Sequence, residues 1–237
     1  MAPVLPYSSR LVLSGPETVG FLDRTVTCDV SSLSDGAPRP GALLTPQGKV
    51  ISDFLLSIDE AGIVHLAVHS QAVDALEKRL KLMRLRADVQ IDRRPDLDLV
   101  PDEAARIAAG RPAFGQDFLD TAVFPTDINL DVHGGVAYRK GCFVGQEVVS
   151  RMKRRGTIRK RTVVFQGAGV ARGQTIQAGD VRLGDITSAN GDMALALVRI
   201  DHLKKALAAG TDLVSEKGPV ELLASDWLRA ELEGLAS

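Results

Sequence analysis

A thiol, a lysine and two glycines within eight residues mark the first place in this 237-residue chain where chemistry is expected: Lys140-Gly141-Cys142-Phe143-Val144-Gly145-Gln146-Glu147. Lys140 supplies a cation, and Gly141 lets the backbone turn where a side chain would block it. Val144, Val148 and Met152 lie at i, i+4 and i+8, which places them on one side of a helix whose free amides add positive potential at its start. A thiol in that field is held more as thiolate, suited to nucleophilic attack, redox exchange or metal ligation. The alternative, that Cys142 is a small buried hydrophobe, remains open from local sequence. Upstream, Asp127, Asn129 and Asp131 alternate with Ile128, Leu130 and Val132. In an extended chain, three polar side chains then share one face and could line a cleft for a donor-rich heterocycle such as a pterin.

Charge gathers around the same motif. The window 138–161 holds nine bases and one acid, giving +8 inside a chain whose net charge is −1. Such a patch attracts an anion: a phosphate, a polyglutamate tail, a nucleic-acid backbone or an acidic protein. No aromatic residue interleaves the bases from Arg151 to Arg161, so a stacking platform for single-stranded RNA is not indicated. Cys28 and Cys142 are the only cysteines, which excludes a disulfide framework and a self-contained four-thiolate metal site. The four histidines form no ligand cluster, and the common nucleotide, hydrolase and zinc-protease motifs are missing. No apolar run of 18 residues occurs, and Met1 to Arg10 does not resemble a signal peptide, so the expected location is cytoplasmic, with no membrane partner.

The elements that must position these residues follow from pattern. Arg10–Leu13 reads as a strand, and Ser14-Gly15-Pro16-Glu17 opens a helix through Phe21 and Leu22. Gly41–Leu44, Lys49–Ile58 and Ile63–Val68 read as an antiparallel meander turning at Pro46-Gln47-Gly48. Ser70 is expected to cap a helix carrying Val73, Leu76, Leu80 and Met83, with Asp74–Lys78 and Glu77–Lys81 pairs, lying on the sheet. Residues 93–102 form a connector, and Glu103–Ala109 a short helix ended by Gly110. Residues 114–131 are irregular, His133-Gly134-Gly135 is a turn, and Val136–Tyr138 a short strand. Beyond Arg161, short strands at Thr162–Phe165, Thr175–Ile176, Val181–Thr187, Ala194–Ile200 and Val220–Leu223 suggest a small β-barrel or sandwich, with a closing helix over Ser225–Leu235.

The K-G-C-F-x-G-Q-E string, preceded by Phe124-Pro125-Thr126-Asp127 and followed by Arg151 and Arg155-Gly156, resembles the signature of the YgfZ family. These are folate-binding proteins related to the aminomethyltransferase (T-protein) of the glycine cleavage system, with mitochondrial relatives in iron–sulfur assembly. The resemblance extends over nearly the whole chain, including Thr27-Cys28-Asp29-Val30 and Gly184-Asp185-Ile186-Thr187-Ser188. It implies an α+β fold of intertwined subdomains: a folate-binding domain over 1–158, with a reduced middle subdomain around 45–110, and a C-terminal β-barrel over 159–237. It further implies tetrahydrofolate as ligand, with Asp127, Asn129, Asp131, Tyr138, Gly141, Gln146, Glu147 and Arg151 as contacts, and Cys142 with Lys140 as the reactive pair. An iron–sulfur cluster would require a partner to share it with Cys142, since this chain alone cannot ligate one. The implied role is assembly or maintenance of iron–sulfur enzymes, including tRNA-modifying ones, with assembly proteins, client enzymes and tRNA as partners. A folate-dependent aminomethyltransferase and an RNA-binding module are the competing readings. Ser52-Asp53 stands where the T-protein has paired aspartates.

Overall fold

A computed structural model describes residues 7–33, 37–95 and 102–234. Five strands, β1 (Ser9–Ser14), β2 (Arg39–Leu44), β3 (Val50–Ile58), β4 (Val64–Val68) and β5 (Gln90–Arg94), form one antiparallel sheet in the order β2-β3-β4-β1-β5. The expected meander is present, and β5 adds to the far side of β1 from a segment with no strand-like pattern of its own, QIDRR. Segment 45–110 is woven into this sheet, since β3 and β4 lie between β2 and β1.

Helix α1 (Thr18–Asp23) starts two residues after Pro16, and α2 (Val73–Arg84) buries Val73, Leu76 and Leu80 as the helical spacing requires. Two local expectations fail on α2. Ala72 rather than Ser70 precedes its first turn, and Asp74 pairs across to Arg93 of β5 instead of Lys78, while Glu77–Lys81 forms as expected. A cross-element partner at 2.6 Å displaces the local one because Arg93 emerges directly beside the helix.

After residues 96–101, which lie outside the described residues and contain most of the expected connector, α3 (Glu103–Ala108) starts on an Asp102 cap that accepts the Ala105 amide. It packs Ile107 against Val164 and Leu195 of the second sheet and so joins the two halves. That second sheet contains β6 (Lys160–Gln166), β7 (Thr175–Ala178), β8 (Val181–Asn190), β9 (Met193–Arg199), β10 (Leu213–Ser215), β11 (Gly218–Pro219) and β12 (Glu221–Leu222). The order is β11-β10-β7-β8-β9-β6-β12. Its two edge strands are consecutive in sequence: β11 pairs with β10 and β12 with β6, so one kinked segment at Val220 nearly closes the sheet on itself. The result is the small barrel the strand spacing suggested. Two helices dress it, α5 (Ile200–Ala208), which the sequence pattern did not single out, and α6 (Asp226–Glu233). Leu235, the expected end of the last helix, lies outside the described residues.

Candidate functional site

The segment 124–134 is not extended. It runs through consecutive turns, with Leu130 N–H donating to the Pro125 carbonyl and Asn129 in the left-handed region at φ 60°. Asp127, Asn129 and Asp131 therefore do not share a strand face, and each side chain has its own job. Asp127 is buried and accepts the Phe124 amide at 2.9 Å. Asn129 donates to the Thr162 carbonyl at 2.7 Å, tying the loop to β6. Asp131 pairs with Arg161, which is 2 % exposed and also grips Glu231 of α6 at 2.7 Å and the Thr126 carbonyl at 2.9 Å. Asp131 is thus a structural tie with both oxygens on Arg161, and Asn129 braces the loop through its amide N–H while its buried Oδ1 has no hydrogen-bond partner among the described residues.

The signature motif is also built differently from the local reading. No strand forms over Val136–Tyr138, and helix α4 (Gln146–Arg154) begins four residues beyond Cys142. The glycine that the turn requires is Gly145, at φ 80°, where a Cβ would stand 2.6 Å from the Thr45 carbonyl oxygen; Gly141 has open space around it. Lys140 does not hold a thiolate. Its ammonium is buried and donates to the carbonyls of Asp23, Val26 and Cys28 at 2.7, 2.7 and 2.5 Å. Burial pushes the Lys140 pKa down, and Asp23 opposes that shift. Together with the buried Phe143 ring, this clamp pins the loop on both sides of Cys142, and the thiol itself is exposed. Cys28 is the opposite case: fully buried, its thiol pushed up to about 11 by burial.

Helix α4 separates the expected contacts into two groups. Val148, Arg151, Met152 and Arg155, spaced i, i+3, i+4 and i+7, line a cavity of about 520 Å³ together with Asp127, Lys49, Val123, Phe124, Arg159, Lys160 and Leu197. On the other side, Gln146, Glu147, Ser150, Lys153 and Arg154 line a groove of about 880 Å³ with Tyr138, Arg139, Cys142 and Phe143. Asp127 and Arg151 therefore face one opening, and Cys142, Tyr138, Gln146 and Glu147 another. The Lys153 ammonium sits 4.6 Å from the Tyr138 ring centre, and burial pushes the Tyr138 hydroxyl pKa up. Arg151 and Glu147 form an ion pair that reaches from one opening to the other.

In the cavity, burial raises the Asp127 pKa, opposed by the Phe124 amide and by Lys49 and Lys160. Lys49 lies 3.7 Å from the Phe124 ring centre and donates to the Ala122 carbonyl. A reduced folate presents N–H donors on its pterin edge and carboxylates at its far end. One carboxylate, five cations and apolar walls from Val123, Phe124, Val148, Met152 and Leu197 match that distribution, so these residues fit such a group. Lys49, Phe124, Arg155, Arg159 and Lys160 were not singled out as contacts from sequence. For Arg155 the i, i+3, i+4, i+7 spacing with Val148, Arg151 and Met152 was the available signal; Lys49 carries none.

A further cluster lies inside the five-stranded half. Tyr7 donates to Asp53 at 2.7 Å, and burial pushes the Asp53 carboxyl up to about 6. Burial, aided by Arg111, pushes His133 down to about 4.

The architecture defines the fold class, a GcvT-like aminomethyltransferase fold ending in a near-closed β-barrel. The protein superposes with a TM-score of 0.73 on a glycine cleavage system aminomethyltransferase T from Bartonella henselae, at 15% identity, over 92% of this chain and 82% of that one. Residues 159–230 match the family CAF17, C-terminal beta-barrel domain. More particularly, the chain is similar to proteins named iron-sulfur cluster assembly factor IBA57 homolog, mitochondrial. The one from Phaeosphaeria nodorum is 24% identical over 98% of this chain and 81% of its own length. The one from Pyricularia oryzae is 42% identical over 65% of this chain and 54% of its own, so the chain spans about half the length of that relative, as it does of the Chaetomium globosum homologue at 55%. The relatives carry the IBA57 name where the motif resembled YgfZ, a related family, and they are named mitochondrial, which corrects the expected cytoplasmic location.

Proposed function

We propose that the protein is an iron–sulfur cluster assembly factor that contributes Cys142 as one ligand of a cluster shared with a partner protein, and that binds a reduced folate in the Asp127 cavity. The observation that carries the reading is the contrast between its two thiols. Cys142 is exposed on a loop clamped by Lys140, whereas Cys28 is sealed in the core. Among the described residues no three His, Cys, Asp or Glu side chains stand together as a metal site, so the other ligands of a cluster would come from an iron–sulfur carrier protein or from small thiols. The groove around Cys142 brings Arg139, Lys153 and Arg154 to the same opening, which favours an acidic partner surface and the negative charge of a thiolate-ligated cluster. Such a role supplies clusters to client enzymes, tRNA-modifying ones among them.

The test is complementation of a strain lacking the protein. Cys142→Ser is expected to leave iron–sulfur enzyme activities at the level of the deletion, while Cys28→Ser restores them. Full restoration by Cys142→Ser sinks the ligand role. The folate part is tested separately by anaerobic titration of tetrahydrofolate, with Asp127→Asn expected to weaken binding.

A further inference from the structure

The end of α2 carries charge and apolar surface that the fold does not use. Residues 78–86, KRLKLMRLR, hold five bases and no acid. Leu80 is buried in the core and Met83 partly buried, whereas Leu82 and Leu85 are 65% and 83% exposed. Lys78 and Arg79 are exposed, and with Asp74 taken by Arg93 and Glu77 by Lys81, neither has an ion-pair partner among the described residues. Arg24 and Arg86, which line a depression of about 410 Å³ at the same end of the helix, are exposed and unpaired among the described residues as well. The one acid in that depression, Glu17, accepts the Asp88 amide at 2.7 Å. Lys81 and Arg84 in the last turn complement the helix dipole, which accounts for part of the charge but not for the leucines. Leu85 is the stronger anomaly. At φ 51° and ψ −109°, with the Ala87 amide donating to the Arg84 carbonyl at 2.9 Å, it holds the first central position of a type II′ turn, where glycine is the ordinary residue. A leucine there strains the backbone and, being exposed, gains no packing in return.

We propose that this end of α2 is a peripheral membrane contact, in which Leu82 and Leu85 enter the acyl boundary of a bilayer while Lys78, Arg79, Arg86 and Arg24 meet the phosphates of anionic lipids. Exposed leucines flanked by unpaired cations on long apolar stems match a lipid interface, whose phosphates and acyl chains arrange themselves around the protein, whereas a protein face would have to match the positions of both. The contact is peripheral, since no helix among the described residues is long and apolar enough to cross a membrane.

The experiment is co-sedimentation of the full chain with vesicles of phosphatidylcholine alone and of phosphatidylcholine and phosphatidylglycerol in equal parts, at low and high salt. The wild type sediments with the anionic vesicles at low salt, is released as salt rises, and stays in solution with phosphatidylcholine. The triple variant Lys78→Gln, Arg79→Gln, Arg86→Gln lowers the partition coefficient about hundredfold, and Leu82→Gln lowers it about tenfold. Leu85→Gly weakens binding to a similar extent while its urea midpoint stays at or above that of the wild type, a pair of opposed effects that a leucine packed into the fold would not give. Arg155→Gln with Arg159→Gln, in the other basic region, leaves binding unchanged. No sedimentation of the wild type with anionic vesicles overturns the proposal and returns the surface to an acidic protein partner. Binding that survives both leucine substitutions overturns it as well, because the helix end would then be a general polyanion surface, and binding lost only with Arg155 and Arg159 puts the lipid elsewhere. A dimer that forms without lipid and dissociates on Leu82→Gln, read by sedimentation velocity, overturns it in favour of a second copy of this chain.

Discussion

The two sides of α4 are assembled on different physical plans. On the cavity side, the 124–134 loop is held by buried charge: Arg161, 2 % exposed, satisfies Asp131, Glu231 and a backbone carbonyl, and Asp127 is itself nearly enclosed. On the groove side, the loop bearing Cys142 is peripheral, anchored at Lys140 and Phe143, and its thiol is exposed. One side suits a small molecule that must be recognised by shape and charge. The other suits a macromolecular partner that must reach a sulfur. A single helix can serve both because residues spaced i, i+3, i+4 and i+7 present one face, and the residues between them present the other.

That contrast can be broken most severely at Arg161. Arg161→Ala strands two carboxylates, Asp131 and Glu231, in a poorly solvated setting, and is expected to cost about 3–5 kcal/mol in urea unfolding. A loss below about 1 kcal/mol would show that the buried charge does not organise the cavity side. Next comes Lys140→Met, which leaves three carbonyls without their donor. It is expected to cost about 2 kcal/mol and to speed amide hydrogen exchange over 138–145, with exchange over 124–134 unchanged.

The interior charges also predict a pH signature. The Asp53 carboxyl, at about 6 when folded, ionises near 4 when unfolded, so its effect on stability falls by about 2–3 kcal/mol as pH rises through that window. His133 acts in the opposite sense. Its folded value of about 4 lies below the unfolded value near 6.5, so stability is lost as pH drops through the same window. The two slopes offset each other in the wild type. Asp53→Asn should leave a stability that climbs from pH 4 to 6, and His133→Gln one that declines; parallel profiles for both variants would refute the assignment. The smallest structural effect is expected at Cys142→Ser, within about 0.5 kcal/mol of wild type, because the side chain is exposed. A larger loss would mean that the thiol is part of the scaffold.

Periodicity revealed the meander and the barrel because their strands bury alternate residues against a core, and that alternation is written in Val64, Leu66 and Val68. The same logic misread 124–134. Ile128 and Leu130 are buried and separated by a polar residue, yet tight turns produce this spacing, and Asn129 between them is buried too because its amide reaches Thr162. Sequence singled out Cys142 and Asp127, the two residues on which the proposed function rests. It could not reveal that α4 stands between them, nor that Lys140 is committed to carbonyls more than 100 residues upstream, since long-range carbonyl acceptors leave no trace in side-chain pattern.

The Arg161 clasp bears on the order in which the molecule can be completed. Its carboxylate partners lie 30 residues before it and 70 residues after it, so a chain emerging from the ribosome can bury Arg161 against Asp131 early but waits through synthesis of the whole barrel for Glu231. Until then the clasp holds one counter-charge rather than two, and the loop carrying Asp127 lacks its final brace. The brace on the 124–134 loop is therefore completed only when α6 docks and brings Glu231 to Arg161.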